Sequence, residues 1–187
     1  MTLEDQLSAL AGVGIGLAPG RTVAELLHSF PREAYESEPF TLLLFVLGIE
    51  VEAEPWGRRF SERVWNFDTE CVHGPGAYVE ITRRLCLIAG RPDALTDVRD
   101  HVDLGTGEAW LEYTAGGRRR RWTVDVVDDW ADPMVVSYLM DELEGDGRRF
   151  HAMDNGQASV LMLLTEDEAR RLNGLIGEEL IVPAVPA

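Results

Sequence analysis

Lysine is missing from this 187-residue chain, in which all 17 basic residues are Arg. Its absence removes Schiff-base catalysis, the P-loop lysine and the lysine of most restriction-type nuclease sites. Cysteine is nearly missing too: Cys71 and Cys86 are too few for a disulfide framework and fit a reducing compartment. No apolar run approaches the ~20 residues of a membrane span. The longest covers residues 40–47 and reads as a core segment. No Ser stands in a Gly-x-Ser-x-Gly elbow, so no nucleophile with a partnered base can be assigned. The first residues, Met-Thr-Leu-Glu-Asp-Gln, are acidic where a secretory signal is basic, and the expected location is the cytoplasm. Positive charge is scarce overall. Against 33 acidic residues it leaves a net charge of −16, a field that disfavours nucleic acid and anionic membrane and attracts basic partners.

What is present is enough apolar material, 45%, to bury a core. Leu3, Leu7 and Leu10 have helical spacing, and Gly12, Gly14 and Gly16 end that helix in a loop. These glycines follow a helix where a nucleotide cradle follows a strand. Thr22 with Glu25 makes a capping box for a short helix closed by Pro31. The run 40–47 is expected to be a buried helix with Pro39 in its first turn, a strand being the alternative. Ile-Glu-Val-Glu-Ala-Glu at 49–54 alternates like a half-buried edge strand. Tyr78, Ile81, Leu85 and Ile88 share one helical face, with Glu80, Arg83 and Arg84 elsewhere. Residues 108–114 and 119–127 alternate around Ala115-Gly116-Gly117 as a hairpin. Asp132 caps and Pro133 opens a following helix. A second hairpin covers 148–164 around Asp154-Asn155-Gly156, which has a type I′ signature, and a Thr165/Glu168 capping box starts the last helix. The expected fold is therefore α+β, a single domain over residues 1–187. Residues 1–90 are mostly helical with one or two short strands, 100–178 follow a ββαββα order and 179–187 form an extended tail. The two hairpins are expected to share one antiparallel sheet against which the N-terminal helices pack.

Phe67-Asp68-Thr69-Glu70 resembles the first motif of the DEDD exonuclease family, in which an Asp and a Glu two apart on a strand hold catalytic metals. Positions i and i+2 share a strand face, so Asp68 and Glu70 are the candidate metal ligands, with Glu80, Asp100 or Asp103 as further carboxylates. The resemblance covers these four residues only. The family's third motif, a His five or a Tyr four residues before an Asp, is matched neither at Tyr138 and Asp141 nor at His151 and Asp154. Cys71, His73, Cys86 and His101 are soft ligand types without the paired Cys-x-x-Cys spacing of a zinc site. No metal or other cofactor is expected on the leading reading.

The acidic excess is gathered most tellingly at Asp125, Asp128, Asp129, Trp130 and Asp132, an aromatic set among carboxylates as at hot spots that face basic proteins. The alternative for this stretch is that Trp130 is core and Asp132 only a cap. Arg118, Arg119, Arg120 and Arg121 form a basic run that suits a charged edge strand, a grip on phosphate or acidic groups, or a clamp onto acidic patches of a second copy. The leading expectation is a non-enzymatic module that binds a basic protein partner, with no direct nucleic acid and no membrane. In composition it is similar to immunity proteins, which neutralise toxins by occluding them. The alternatives are a metal-dependent nuclease or phosphodiesterase using Asp68 and Glu70, and a structural or regulatory homo-oligomer, possible as a homodimer.

Overall fold

The computed structural model describes residues 1–184, so the end of the expected tail lies outside the described residues. The fold is α+β, with helices α1 (Leu3–Ala11), α2 (Val23–Ser29), α3 (Arg32–Ser37), α4 (Thr41–Gly48), α5 (Ala77–Ile88), α6 (Pro133–Leu143) and α7 (Glu166–Ile176). The strands are β1 (Val64–Asp68), β2 (Leu95–Asp103), β3 (Glu108–Ala115), β4 (Arg118–Thr123), β5 (Arg148–Asn155), β6 (Ala158–Thr165) and β7 (Ile181–Pro183). They divide into two sheets, of order β1-β6-β5-β7 and β2-β3-β4. The chain separates into two compact units, one of residues 1–67 with 147–187 and one of residues 68–146.

Separate sheets correct the expectation that both hairpins share one. Each hairpin recruits other strands instead: β2 pairs antiparallel with β3, and β7 pairs antiparallel with β5. The expected edge strand at 49–54 is also absent. Its alternation meets no partner strand beyond an isolated bridge from Glu50 to Arg59 and a 2.8 Å bond from the Val51 N–H to the Arg58 carbonyl.

In the first unit, the helices α1 to α4 bury Leu3, Leu10, Leu26, Leu43, Leu44 and Leu47 in one cluster with Met153, Val160, Met162 and Leu164 of the β5–β6 hairpin. Among the described residues three N-termini carry capping boxes, Thr2 with Asp5, Thr22 with Glu25 and Thr165 with Glu168, each of which satisfies two N–H groups at the helix start. The 40–47 run is helical from Thr41 onward. Pro39 precedes the cap residue Phe40 and does not enter the first turn. The β5–β6 connection consists of Gly156 and Gln157, and of these only Gly156 has positive φ, at 73°, which replaces the expected type I′ turn.

Gly48, the last residue of α4, lies directly against β1, and a Cβ built there would sit 2.4 Å from the Asn66 backbone nitrogen. The obstacle is backbone, which cannot rotate aside as a side chain can. Gly48→Ala is expected to destabilise the protein by ~2–3 kcal/mol through overpacking. A fall in the urea midpoint with an unchanged m-value is the expected signature in equilibrium unfolding.

Candidate functional site

The unit of residues 68–146 carries the sequence-derived candidates, and two carboxylates organise it. Asp100, on β2, accepts N–H bonds from Gly76 at 2.7 Å, Tyr78 at 2.9 Å and Val79 at 3.3 Å, capping α5 from a distant strand. Asp132 is 8% exposed and caps α6. Its Oδ1 accepts from the N–H groups of Met134 at 2.8 Å and Val135 at 3.3 Å, while Oδ2 accepts from the Asp125 N–H at 2.9 Å. The Asp132 N–H in turn donates to the Tyr78 hydroxyl at 2.8 Å, which ties the start of α6 to α5. Burial pushes the Tyr78 phenol up to about 12, so it stays neutral.

Between Asp125 and Asp132 the chain makes a four-residue turn, closed by the Trp130 N–H on the Val127 carbonyl at 3.0 Å, with Asp128 at φ 49°. Asp tolerates this left-handed geometry better than most residues. The segment 69–72 runs alongside and fixes the turn from outside: the Val72 N–H donates to the Asp129 carbonyl at 2.9 Å and the Ala131 N–H to the Thr69 carbonyl at 2.7 Å. Trp130 is 42% exposed on this braced backbone, so it is not a core residue. Val127 and Met134 are also exposed. Of the five candidate residues, Asp125, Asp128, Asp129 and Trp130 therefore reach the surface, whereas the Asp132 carboxylate is consumed as a cap.

The carboxylates of the nuclease reading are scattered over unrelated structural duties. Asp68 ends β1 and accepts the Glu70 N–H at 3.0 Å, a local turn. Asp100 caps α5, Asp103 accepts from Gly105 and Thr106 in the β2–β3 turn, and Glu80 forms a two-point pair with Arg83. Among the described residues no three His, Cys, Asp or Glu side chains are grouped to hold a metal ion. Both cysteines are free thiols. Burial, reinforced by Asp68 and Asp129, pushes the Cys71 thiol up to about 11, and burial raises Cys86, so neither is a ready thiolate. In the other unit, a cavity of about 530 Å³ beside α7 is lined by the buried His151, whose Nδ1 lies 3.0 Å from the Arg149 carbonyl. Its described lining residues include no Ser, Thr, Cys or Lys to act as a nucleophile.

The basic run is split by strand alternation. Arg120 points to the helix side, where its Nε donates to Glu142 of α6 at 2.9 Å, next to Trp122 stacked on Tyr138 with ring centroids 4.2 Å apart. Arg119 and Arg121 point to the other face and converge with Arg99 on Glu112, whose side chain is 5% exposed. The run is an edge strand, as one of its expected roles requires, but it does not act as one surface. The Arg99–Glu112 pair depends on β2, which the sequence pattern above does not predict. Its signals were the β-branched Thr96, Val98 and Val102 and the Gly105-Thr106-Gly107 turn leading into β3.

Asp132→Ala removes a cap and strands the Asp125 N–H, and is expected to cost ~1–2 kcal/mol in denaturant unfolding. The Arg119 hydrogen bond, joined by Arg99, holds the Glu112 carboxyl below its ordinary value of 4.5 despite the opposing effect of desolvation. A lowered folded-state pKa means stability that is present above 4.5 and lost as pH falls through the lowered value. The wild type is therefore expected to exceed Glu112→Gln in urea midpoint at neutral pH, with the gap closing as pH drops below 4.5.

No family model, no curated protein and no solved structure matches this chain.

Proposed function

We propose that the chain is a non-enzymatic protein-binding module that meets a basic protein surface through Asp125, Asp128, Asp129 and Trp130, acting in the cytoplasm in the manner of an immunity-type inhibitor. The observation that carries this reading is the exposed Trp130 ring on a turn whose backbone is bonded on both sides. An exposed aromatic on a braced backbone has less backbone freedom to lose on binding than one on a loose loop, which lowers the ordering cost of the complex. The surrounding carboxylates set which partner is accepted: a basic surface is drawn in, and an acidic one is repelled. The net charge of −16 adds long-range steering to this short-range selection.

Asp68, Asp100, Asp103 and Glu80 serve separate turns, a cap and an ion pair, so no observation favours the nuclease reading. The proposed module needs no cofactor.

The test is the chain's own complex, recovered from its native cell and reconstituted from purified components. The partner is expected to be basic and stoichiometric. Its association rate should fall at least about tenfold between low and physiological salt, as steered encounters do. Trp130→Ala should weaken affinity by ~2 kcal/mol or more, chiefly through faster dissociation. A double reversal, Asp128→Arg with Asp129→Arg, should slow association. A complex indifferent to salt and to all three substitutions would sink the proposal.

A further inference from the structure

The three-stranded sheet carries a second charged feature on the face opposite α5 and α6. Arg99 on β2 and Arg121 on β4 are the cross-strand neighbours of Glu112 on β3, and Arg119 sits one pleat along β4, opposite Thr114. Glu112 Oε1 accepts from Arg99 Nη2 at 2.6 Å and from Arg119 Nη2, while Oε2 lies 3.6 Å from Arg121 Nη1. The carboxylate is almost fully enclosed, yet the three side chains holding it are 61%, 65% and 55% exposed. The orientation of Arg121 is fixed from another side as well. Arg121 lies 4.0 Å over the Trp110 ring, against which His101 stacks with centroids 6.0 Å apart.

One carboxylate cannot neutralise three guanidiniums. A cavity of about 500 Å³ opens beside Arg99 and Arg119, lined also by Asp97, Glu112 and Thr114 among others. Asp97, the other carboxylate on its wall, accepts from the Thr114 hydroxyl at 3.2 Å, so two arginines meet two carboxylates on the wall and the one positive charge in excess is that of Arg121, joined to the cluster through Glu112. A cluster built only to staple three strands together needs no surplus cation. In a chain of −16 a local cationic excess runs against the global balance. Guanidiniums are planar forks of N–H donors, and an inner carboxylate that aligns their inner edges leaves the outer edges turned to solvent in a fixed array.

We propose that this face, centred on Arg99, Arg119 and Arg121, binds a single phosphate-type oxyanion, either free phosphate or the phosphate group of a small monoester. A compact oxyanion matches the array, because its negative charge offsets the single excess cation and its tetrahedral oxygens accept from several forks at once. A polyanion is disfavoured, since each further phosphate is pushed away by the acidic remainder of the chain. This site is independent of the Trp130 turn, and its failure leaves the protein-binding proposal standing.

The experiment titrates the wild-type chain with inorganic phosphate by calorimetry and by thermal shift, against sodium chloride of equal ionic strength. Saturable one-site binding and a rise in Tm beyond the chloride control are expected. Arg119→Gln and Arg99→Gln, checked for folding by circular dichroism, should each weaken phosphate binding at least about tenfold, the effect of losing one charge-assisted hydrogen bond. A small phosphomonoester binding at the same site identifies the monoester as the source. Lack of a phosphate response in the folded wild type overturns the proposal. So does binding unchanged in both Arg variants, or retention on duplex DNA or anionic vesicles without any response to inorganic phosphate.

Discussion

The buried Asp132 carboxylate is the constraint on which the candidate binding turn depends. A carboxylate removed from water needs its lone pairs filled, and here three backbone N–H groups from two sides fill them: Met134 and Val135 from the first turn of α6, and Asp125 from the strand exit before the turn. The same residue thus starts a helix and clamps both ends of the segment 125–132. Its own N–H reaches Tyr78 on α5, whose N-terminus is capped by Asp100 from β2. Two aspartates and the Tyr78 hydroxyl consequently connect two helices, one strand and one turn through side-chain oxygens that accept from backbone N–H groups. Trp130 is presented at the surface because its neighbours on both sides are held and its own N–H closes the turn.

The acidic excess divides by function once the geometry is known. Asp5, Glu25 and Glu168 close capping boxes, Asp100 and Asp132 cap helices, and Glu112 gathers three arginines. These carboxylates answer structural needs and would be found in a protein of any net charge. Asp125 and Asp128 are different: they are exposed, and they sit beside an exposed ring. The distinction matters because most exposed ion pairs contribute about 0–1 kcal/mol to stability. On the proposed reading, Asp125 and Asp128 serve to meet a basic surface.

What the sequence showed best was whatever is decided within four residues. The capping boxes at Thr22 and Thr165 and the Asp132-Pro133 start depend on a side chain reaching an N–H two or three positions away, and each is found where the pattern puts it. The apolar face of α5 was equally readable, except that Arg84, assigned to the polar side, is buried. What remained hidden required knowing partners far along the chain. Ile49 to Glu54 alternates as well as any strand, and no neighbouring strand takes it up. Leu95 to Asp103 alternates poorly because a bulge interrupts its register between Thr96 and Arg99, and β3 pairs with it nonetheless. Missing β2 hid Asp100 as a cap and Arg99 as a neighbour of Glu112. Asp68 and Glu70 illustrate the converse. Their i, i+2 spacing allows a shared strand face, but β1 ends at Asp68, and its carboxylate turns back onto the Glu70 backbone.

Surfaces of opposite sign can coexist in the unit of residues 68–146 because charge acts over two ranges. That unit holds 17 acidic and 8 basic residues, a balance of −9, and three of those arginines lie together on the open sheet face. Beyond a Debye length of ~8 Å at physiological salt an approaching molecule senses mainly the net balance, and within it mainly the nearest groups. The net balance therefore governs which large partners approach, while Arg99, Arg119 and Arg121 govern what a small ion meets on contact. The exclusive use of Arg reinforces the separation. Several guanidiniums can share one carboxylate through directed N–H bonds, as at Glu112, so cations can be crowded on a sheet face without losing their geometry. Lysine ammoniums, as mobile point charges, would not hold a fixed array of donors there.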